Sequence, residues 1–234
     1  MGQSLGRGGV VENGPDQPVT PAGNPLPSIL HTEISARQLG TGRLIMVGDV
    51  HGCCDELRCL LRQCVFKQGT DTLIFNGDMI NKGPKSSEVI DYIRSLGALA
   101  VRGNQDDKAL AEWIQWKSGS SLKAHSWLEQ LGEDRAQWLG QLPFSISIPS
   151  YQVAVVHAGM VPGVPLEKQS LETLTEIRTM PDPNSTASGE MQPSSTGEGT
   201  GGSKDAGQAE LPASTLAAAM AGSSQPQSCP ASRI

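Results

Sequence analysis

Residues 44–52 read LIMVGDVHG, a short apolar run that passes directly into a turn carrying Asp49 and His51. An uninterrupted apolar run of this length is typical of a buried strand, and the Gly-Asp pair marks the loop that leaves it. The two glycines that flank the turn let the backbone fold closely, so that both side chains can reach one ligand. The stretch therefore predicts a buried strand with functional groups at its carboxyl end.

The same arrangement recurs three times along the chain. Each time a short apolar run ends at a residue that can bind a metal: 72–78 (TLIFNGD) at Asp78, 98–104 (ALAVRGN) at Asn104 and 152–157 (QVAVVH) at His157. Residues 55–64 and 86–96 separate the first three runs, and their apolar residues have helical spacing. A β-α-β-α-β order with right-handed crossovers places the ends of parallel strands at one edge of the sheet. We therefore predict an α/β fold in which these groups converge.

The rest of the core is predicted from the same kinds of pattern. Residues 107–140 have helical character and hold all four tryptophans, which we interpret as packing helices onto the sheet. Residues 144–148 alternate apolar and polar side chains, as a half-buried strand does, and residues 171–177 begin another helix.

Composition divides the chain into a core and two tails. The nine aromatic residues, four Trp, two Tyr and three Phe, all lie between Phe66 and Tyr151. Residues 1–42 and 181–234 contain none and are rich in Gly, Pro, Ser and Ala. Such segments bury too little apolar area to offset their ordering entropy. We therefore predict disordered tails at 1–42 and 181–234 around a partial catalytic domain at 43–180.

Charge and hydropathy limit the partners and the compartment. A net charge of −6 argues against an extended nucleic-acid footprint. No apolar run approaches the roughly 20 residues that span a bilayer, and the N-terminus lacks a signal-peptide core. Four cysteines cluster in residues 53–64 without a CxxC pair, so we interpret them as buried, reduced thiols rather than a zinc knuckle. These features predict a cytoplasmic protein with no membrane partner, and they leave its oligomeric state open.

Carboxylate, imidazole and amide oxygen together are suitable ligands for a pair of divalent cations. Taken singly, each motif also fits a structural role: a surface turn at Asp49 and His51, a left-handed turn residue at Asn104, a core histidine at His157. Their occurrence in order after successive strands favours a metal site, with Asp78 as a shared carboxylate. Two such cations can clamp a phosphoryl group and activate a water molecule for in-line attack.

The order GDxHG, GDxxxxG, GNxD, VHAG resembles the calcineurin-like metallophosphoesterases of the phosphoprotein-phosphatase superfamily. Within that superfamily, GDMINKGP, RGNQDD and VHAGMVPGVPLE are most similar to ApaH-like phosphatases, relatives of symmetrical diadenosine tetraphosphatases. The resemblance covers residues 43–178 and implies a β-sandwich flanked by helices. It also implies a metal-dependent hydrolase that carries two divalent ions, manganese, iron or zinc.

The resemblance implies a role for each motif residue. Asp49, His51 and Asp78 would hold the first metal, and Asp78, Asn104 and His157 the second. By the same resemblance, three further residues are expected to bind the substrate phosphate: Lys82, Arg102 and Gln105. Lys82 stands where many relatives have Arg, and its single charge cannot form the bidentate pair that Arg makes.

Two departures from the family pattern bear on activity. Many relatives have an Asp–His pair at positions 81 and 105, which is thought to protonate the leaving oxygen, whereas this chain has Asn81 and Gln105. An amide cannot deliver a proton, so phosphoanhydrides, whose leaving phosphate needs none, are favoured over phosphoserine esters. Candidate substrates are polyphosphate, dinucleoside polyphosphate and nucleotide-capped RNA ends.

The second departure is the C-terminal region. The family continues past VHAG with more sheet and further His residues, whereas no His follows His157 here. We therefore expect an incomplete second sheet and a weakened second metal site, as in a truncated product. A serine/threonine phosphoprotein phosphatase and a degenerate, non-catalytic form remain the alternative functions.

Overall fold

The computed structural model describes residues 18–119 and 126–179. Their helices and strands follow one another in the order β1 (His31–Glu33), β2 (Leu44–Val47), α1 (Cys54–Gln63), β3 (Thr72–Phe75), α2 (Ser86–Ser95), β4 (Leu99–Ala100), α3 (Asn104–Lys117), α4 (Ser126–Gln141), β5 (Ser145–Ile148), β6 (Val153–Val156) and α5 (Leu171–Glu176).

The strands form two three-stranded sheets. The first has the order β2-β3-β4 with all strands parallel, and its register pairs Leu44 with Thr72 and Val47 with Phe75. The second has the order β1-β5-β6, in which β1 runs parallel and β6 antiparallel to β5. The predicted β-α-β-α-β unit is therefore present, and it carries the first three motif loops at one edge.

The alternating faces of the strands divide the core into two layers. Ile74 and the half-buried Leu44 and Met46 pack with apolar residues of β5 and β6, so this layer lies between the two sheets. Val47 and Phe75 face the opposite way, toward the helices. This is the predicted sandwich of two sheets flanked by helices.

The predicted helices cover the outer face of the parallel sheet. Leu57 and Leu61 of α1 and Val89, Ile90 and Ile93 of α2 are buried at the expected helical spacing. The predicted stretch 107–140 is instead two helices, and the second bends at Gly132, whose φ of 69° is not helical. Three of the tryptophans, Trp113, Trp116 and Trp138, pack in the helix-facing core as predicted; the side chain of Trp127 lies outside the described residues.

The prediction of a disordered segment at 1–42 is wrong from residue 18 onward. Strand β1 pairs with β5 over three residues, and Asn24 and Thr20 are buried. The Asn24 Nδ2 atom donates to the backbone oxygen of Asp107 at 2.7 Å and to its carboxylate at 2.8 Å. The segment is thus ordered by strand pairing and buried polar contacts, which do not require the apolar area on which the prediction was based. Residues 1–17 and 180–234 lie outside the described residues.

Two further sequence expectations have structural outcomes. The third predicted strand, 98–101, is reduced to the two residues of β4. Cys53, Cys54 and Cys64 are free thiols, as predicted. Within the described residues, every helix is too short or too polar to cross a membrane.

Candidate metal centre

The predicted ligands come from four loops that leave four different strands. Asp49 and His51 follow β2, Asp78 follows β3, and Asn104 opens α3 after β4. His157 follows β6 of the second sheet. It can therefore lie near the other three residues only if the two sheets pack against each other. The predicted convergence is observed for the four titratable residues, and Asn104 is half-buried on the turn beside them.

Asp78 lies between the two histidines. Its Oδ2 atom is 3.7 Å from His51 Nε2, and its Oδ1 atom is 3.4 Å from His157 Nε2. Asp49 Oδ2 is 3.4 Å from the same His51 nitrogen. Ligand atoms of Asp49, His51 and Asp78 all lie within 4.8 Å of one another, which is close enough for one ion to contact all three. A carboxylate with one oxygen toward each imidazole has the arrangement that a bridging ligand requires.

A contact of the Nδ1 atom orients each of the two imidazole rings. His51 Nδ1 lies 3.3 Å from the Ile80 carbonyl oxygen, and His157 Nδ1 lies 2.9 Å from the Asn76 carbonyl oxygen. A carbonyl oxygen only accepts hydrogen bonds, so each Nδ1 carries the proton and each Nε2 keeps its lone pair. Nε2 lone pairs directed at a carboxylate cluster are what metal-binding histidines present, with the Nδ1 contact setting tautomer and ring orientation. The donor set therefore fits a divalent cation.

Two glycines let these loops approach one another. A Cβ atom on Gly103 would lie 2.2 Å from Asp78 Oδ1, and one on Gly77 would lie 2.6 Å from the Gly103 nitrogen. Neither position can carry a side chain without displacing the backbone of the neighbouring loop. Gly77 also has φ of 100°, which L-residues rarely adopt. The GD and GN pairs are therefore required by packing as well as by ligand chemistry.

The site concentrates unusual backbone geometry. Four non-glycine residues of the two facing loops have left-handed φ values: 47° at His51, 49° at Asp78, 71° at Asn81 and 66° at Lys82. A backbone hydrogen bond joins the two loops: the N–H of His51 donates to the backbone carbonyl oxygen of Asp78 at 2.9 Å. Left-handed non-glycine residues are costly and tend to cluster at functional sites.

Asp106 is a site residue that sequence reasoning missed. It is fully buried, and its carboxylate accepts the backbone N–H groups of Met79, Ile80 and Gly103 at 2.9, 3.2 and 3.0 Å. It thereby ties the Asp78 loop to the start of α3. Burial, reinforced by the nearby Asp78 charge, raises the pKa of Asp106 to about 7. Its place as the third residue of a helix that starts after Gly103 was the available signal, since an acidic residue there often caps the helix.

Asn81 and Gln105 are in contact, as the family pattern implies for these two positions. The Asn81 amide nitrogen donates to the Gln105 side-chain oxygen at 3.2 Å. Gln105 also donates its backbone N–H to Asp78 Oδ1 at 2.9 Å, which places this pair beside the Asp78 carboxylate. Neither amide titrates, so the pair offers hydrogen bonds and no transferable proton.

Lys82 reaches the cluster of candidate ligands. Its Nζ atom lies 3.1 Å from His51 Nε2, and the ammonium donates to that lone pair. The loop that carries it packs tightly on the first motif, because Gly83 donates its N–H to the His51 oxygen at 2.8 Å. A positive charge therefore stands at the rim of the carboxylate cluster.

The expectation that Arg102 binds phosphate is wrong for this structure. The Arg102 side chain is fully buried, pairs with Asp107 at 3.2 Å, donates to the Gly140 oxygen and lies over the Phe144 ring. Burial lowers the pKa of the guanidinium, and the Asp107 carboxylate opposes that effect. Arg102 links β4, α3 and α4, and its side chain is too deeply buried to meet a substrate phosphate at the surface.

Comparison with known proteins agrees with this geometry. A family model described as calcineurin-like phosphoesterase matches residues 42–193. A symmetrical bis(5'-nucleosyl)-tetraphosphatase of Aromatoleum aromaticum is 40% identical over 124 residues, which are 50% of this chain and 44% of the relative. The corresponding enzyme of Vibrio vulnificus is 38% identical over 121 residues, with the same two coverages. The chain thus spans less than half the length of the curated relatives it matches.

A solved structure extends the likeness to three dimensions. The crystal structure of a candidate diadenosine tetraphosphatase superposes with a TM-score of 0.56 at 37% identity, covering 64% of each chain. The family match includes all four motif loops whose side chains meet around Asp78. By that match, by its sandwich fold and by its cluster of carboxylates and imidazoles, this chain belongs to the calcineurin-like phosphoesterases.

Proposed function

We propose that this chain is a metal-dependent hydrolase of phosphoanhydrides, with a dinucleoside polyphosphate as the first candidate substrate. The proposal rests on the position of Asp78. One of its carboxylate oxygens faces His51 Nε2 and the other faces His157 Nε2. Membership of a metallophosphoesterase family supports hydrolase chemistry at this place.

The proposed ligand sets share Asp78. Asp49, His51 and Asp78 would hold one divalent ion, and Asp78, Asn104 and His157 would hold the other. Manganese, iron and zinc all suit a mixture of carboxylate, imidazole and amide ligands. Such ions, when bound, polarise the phosphoryl group and lower the pKa of a bound water. The Nδ1 contacts to backbone carbonyls hold both imidazole rings with Nε2 directed at the Asp78 carboxylate.

Lys82 would orient the substrate. Its ammonium stands 3.1 Å from His51 Nε2 in the structure and would donate instead to a non-bridging phosphate oxygen of a bound substrate. A single ammonium cannot form the two parallel hydrogen bonds by which Arg orients a phosphate. The position of the phosphate would therefore depend more on the metal site here than in relatives with Arg.

The leaving group decides between the candidate substrates. Asn81 and Gln105 are hydrogen-bonded to one another beside Asp78, and neither holds a proton that it can give away. A phosphate leaving from an anhydride is stable unprotonated, since its second pKa is roughly 6. A serine alkoxide is strongly basic and needs a proton as it departs. The arrangement therefore favours anhydrides over the phosphoprotein alternative.

The similarity to bis(5'-nucleosyl)-tetraphosphatases points to the same class of substrate. Because the chain matches only 44% of those relatives, their activity comes to this chain as a proposal.

The test compares three substrates on one purified sample supplied with Mn²⁺: diadenosine tetraphosphate, tripolyphosphate and a phosphoserine peptide. We expect hydrolysis of the two anhydrides at rates well above that of the peptide. Asp78→Asn serves as the matched inactive protein. Equal rates on peptide and anhydrides would favour the phosphoprotein phosphatase, and no turnover above Asp78→Asn on any substrate would favour the non-catalytic form.

A further inference from the structure

The start of the described chain contacts both parts of the fold that supply the second proposed ligand set. We call this segment, residues 18–33, the N-terminal strap. It precedes residues 42–193, which match the family model, so no role comes to it from that match. Its two contacts are with the first turn of α3 and with strand β5, and each contact can be described atom by atom.

The first contact of the N-terminal strap is made by a tight turn. Val19 and Pro25 pair in an antiparallel bridge at the base of this turn. Within it, the Asn24 N–H donates to Thr20 Oγ1 at 3.1 Å, and the Thr20 N–H donates to the Asn24 oxygen at 2.8 Å. Both residues are buried, so the turn presents the Asn24 side chain to the protein interior.

The interior partner of the turn is Asp107 on α3. Asn24 Nδ2 donates to the carboxylate of Asp107 at 2.8 Å and to its backbone oxygen at 2.7 Å. The Ala22 N–H donates to the other carboxylate oxygen at 3.2 Å. Buried polar contacts of this kind are costly to leave unmade and hold their members in one arrangement. Asn104 is the first residue of the same helix, so the contact fixes the turn that carries a candidate ligand.

The second contact of the strap is a strand pairing. Strand β1 runs parallel to β5 with His31 opposite Ser145, and His31 Nδ1 lies 2.8 Å from Ser145 Oγ. On its other side β5 pairs with β6, where Ser145 lies opposite Val156. His157 is the next residue after Val156. The strap therefore holds the strand on which the His157 strand is aligned.

The loops of the first ligand set have no direct contact of this kind. Asp49 and His51 follow β2 and Asp78 follows β3, all in the parallel sheet. In the part of the chain that the structure describes, no hydrogen bond or ion pair joins the strap to these three residues. Asn104 and His157, in contrast, belong to α3 and to the β5-β6 pair, which the strap connects. A change in the strap should therefore affect the second set and spare the first.

We infer that the N-terminal strap positions Asn104 relative to His157 and so controls the affinity of the second proposed metal ion. Asn24 is its positioning residue, because it acts through Asp107 on the turn that begins α3. This inference rests on the proposed two-ion hydrolase function and adds to it a segment outside the family match. A strap that only stabilised the fold would leave the relative affinities of the two ions unchanged.

The experiment titrates the metal-free protein with Mn²⁺ by calorimetry, and the readout is the ratio of the first to the second association constant. In Asn24→Ala we expect the first constant to stay unchanged and the second to fall at least about tenfold, as is typical for groups behind metal ligands. Electron paramagnetic resonance on the same samples gives an independent readout, since two neighbouring Mn²⁺ ions couple and a single ion does not. Thr20→Val removes only the acceptor for the Asn24 N–H, and this milder variant should lower the second constant in the same direction.

Asp71→Ala is the matched control for lost stability. Asp71 precedes β3, at the end of the sheet away from Asp78, and its side chain is 3% exposed. Its carboxylate accepts hydrogen bonds from Arg43 and from the Lys67 N–H, as Asp107 accepts them from the strap. Urea unfolding should show a lower free energy of unfolding for both Asn24→Ala and Asp71→Ala. Only Asn24→Ala should change the ratio of the two Mn²⁺ constants.

Three results would overturn the inference: an unchanged second constant in Asn24→Ala, an equal fall in both constants, or the same selective fall in Asp71→Ala. Binding of only one ion by the unmodified protein would also overturn it. Turnover of diadenosine tetraphosphate tests the hydrolase proposal separately. Turnover with a second constant that does not depend on the strap rejects the role of the strap alone. Strap-dependent binding of the second ion without any turnover rejects the hydrolase alone.

Discussion

Asp78 Oδ1 lies 3.4 Å from His157 Nε2, although the two residues leave strands of different sheets. The contact exists because the β2-β3-β4 and β1-β5-β6 sheets close on a shared apolar layer that includes Ile74 and Ile146. The candidate metal centre is therefore built across the sandwich. Its geometry depends on the packing of the layer beneath it as much as on the loops that carry the ligands.

Asp78→Asn should weaken metal binding at both proposed positions together, because it removes a carboxylate that faces both imidazoles. We expect a loss of activity beyond the 10- to 100-fold that typically follows changes to groups behind the ligands. Elemental analysis and anhydride turnover on the same sample provide the measurement. Asp134→Asn, at an exposed residue paired with Arg94, is the control and should behave as the unmodified protein. Retention of full metal content by Asp78→Asn would contradict a bridging role.

Metal content should be closer to one equivalent than two. Asp49, His51 and Asp78 offer a compact set whose atoms lie within 4.8 Å of one another, whereas the second set adds only Asn104 and His157 to the shared carboxylate. We expect one tightly held ion after extensive dialysis, with a second that binds only at added Mn²⁺. The number of metal ions per protein chain is measured by elemental analysis before and after dialysis. Two ions that survive dialysis would mean that the second set is complete as it stands.

Gln105→His should raise activity on phosphoesters more than on anhydrides. The new imidazole would lie beside Asn81, where a proton can be given to the leaving oxygen, and general acid catalysis typically contributes about 10²–10⁴-fold. We expect at least a tenfold increase in the ratio of phosphoester to anhydride kcat, a lower limit set by the neutral Asn81 partner. Gln105→Met, similar in size and without a titratable proton, is the comparison. An equal gain on both substrates would refute the leaving-group explanation.

Lys82 and Arg102 should respond differently to replacement. Lys82→Met should raise KM roughly tenfold or more, because a charged hydrogen bond to phosphate is lost. Arg102→Met should leave KM unchanged and lower the free energy of unfolding by about 3–5 kcal/mol, since it leaves the buried Asp107 carboxylate without its oppositely charged partner. Substrate kinetics and urea unfolding on both variants test this. A raised KM with an unchanged free energy of unfolding in Arg102→Met would instead show that Arg102 binds the substrate phosphate.

Acid should destabilise the protein partly through Asp71. Hydrogen bonds from the Arg43 side chain and backbone, and from the Lys67 backbone, hold the pKa of Asp71 well below its usual range. A depressed pKa contributes stability that is present above the unfolded-state value, about 3.9, and is lost as pH falls below it. Urea unfolding between pH 6 and 3 should show a smaller loss for Asp71→Asn than for the unmodified protein. Parallel losses would show that Asp71 does not contribute to acid sensitivity.

The local sequence by itself determined the elements that carry the site. Strands β2 and β3 have the predicted bounds, because an apolar run that ends in Gly-Asp can only be buried up to the turn. The order of strands and crossovers then sufficed to predict that Asp49, His51 and Asp78 would meet, since parallel strands end at one edge. The contact of Asn81 with Gln105 was foreseen only through resemblance to the family.

Tertiary structure alone decided which way each remaining polar side chain faces. Arg102 adjoins the Gly103-Asn104 motif yet turns inward, because Asp107 and the Gly140 oxygen accept from its two terminal nitrogens inside the protein. Strand β1 has no apolar pattern and forms only because β5 offers it an open edge. Burial and hydrogen bonding of polar groups depend on partners distant in sequence, and no local spacing encodes them. The spacing of apolar residues predicts which face of a helix or strand is buried. The polar contacts form only when the two sheets pack together, because their partners come from distant parts of the sequence.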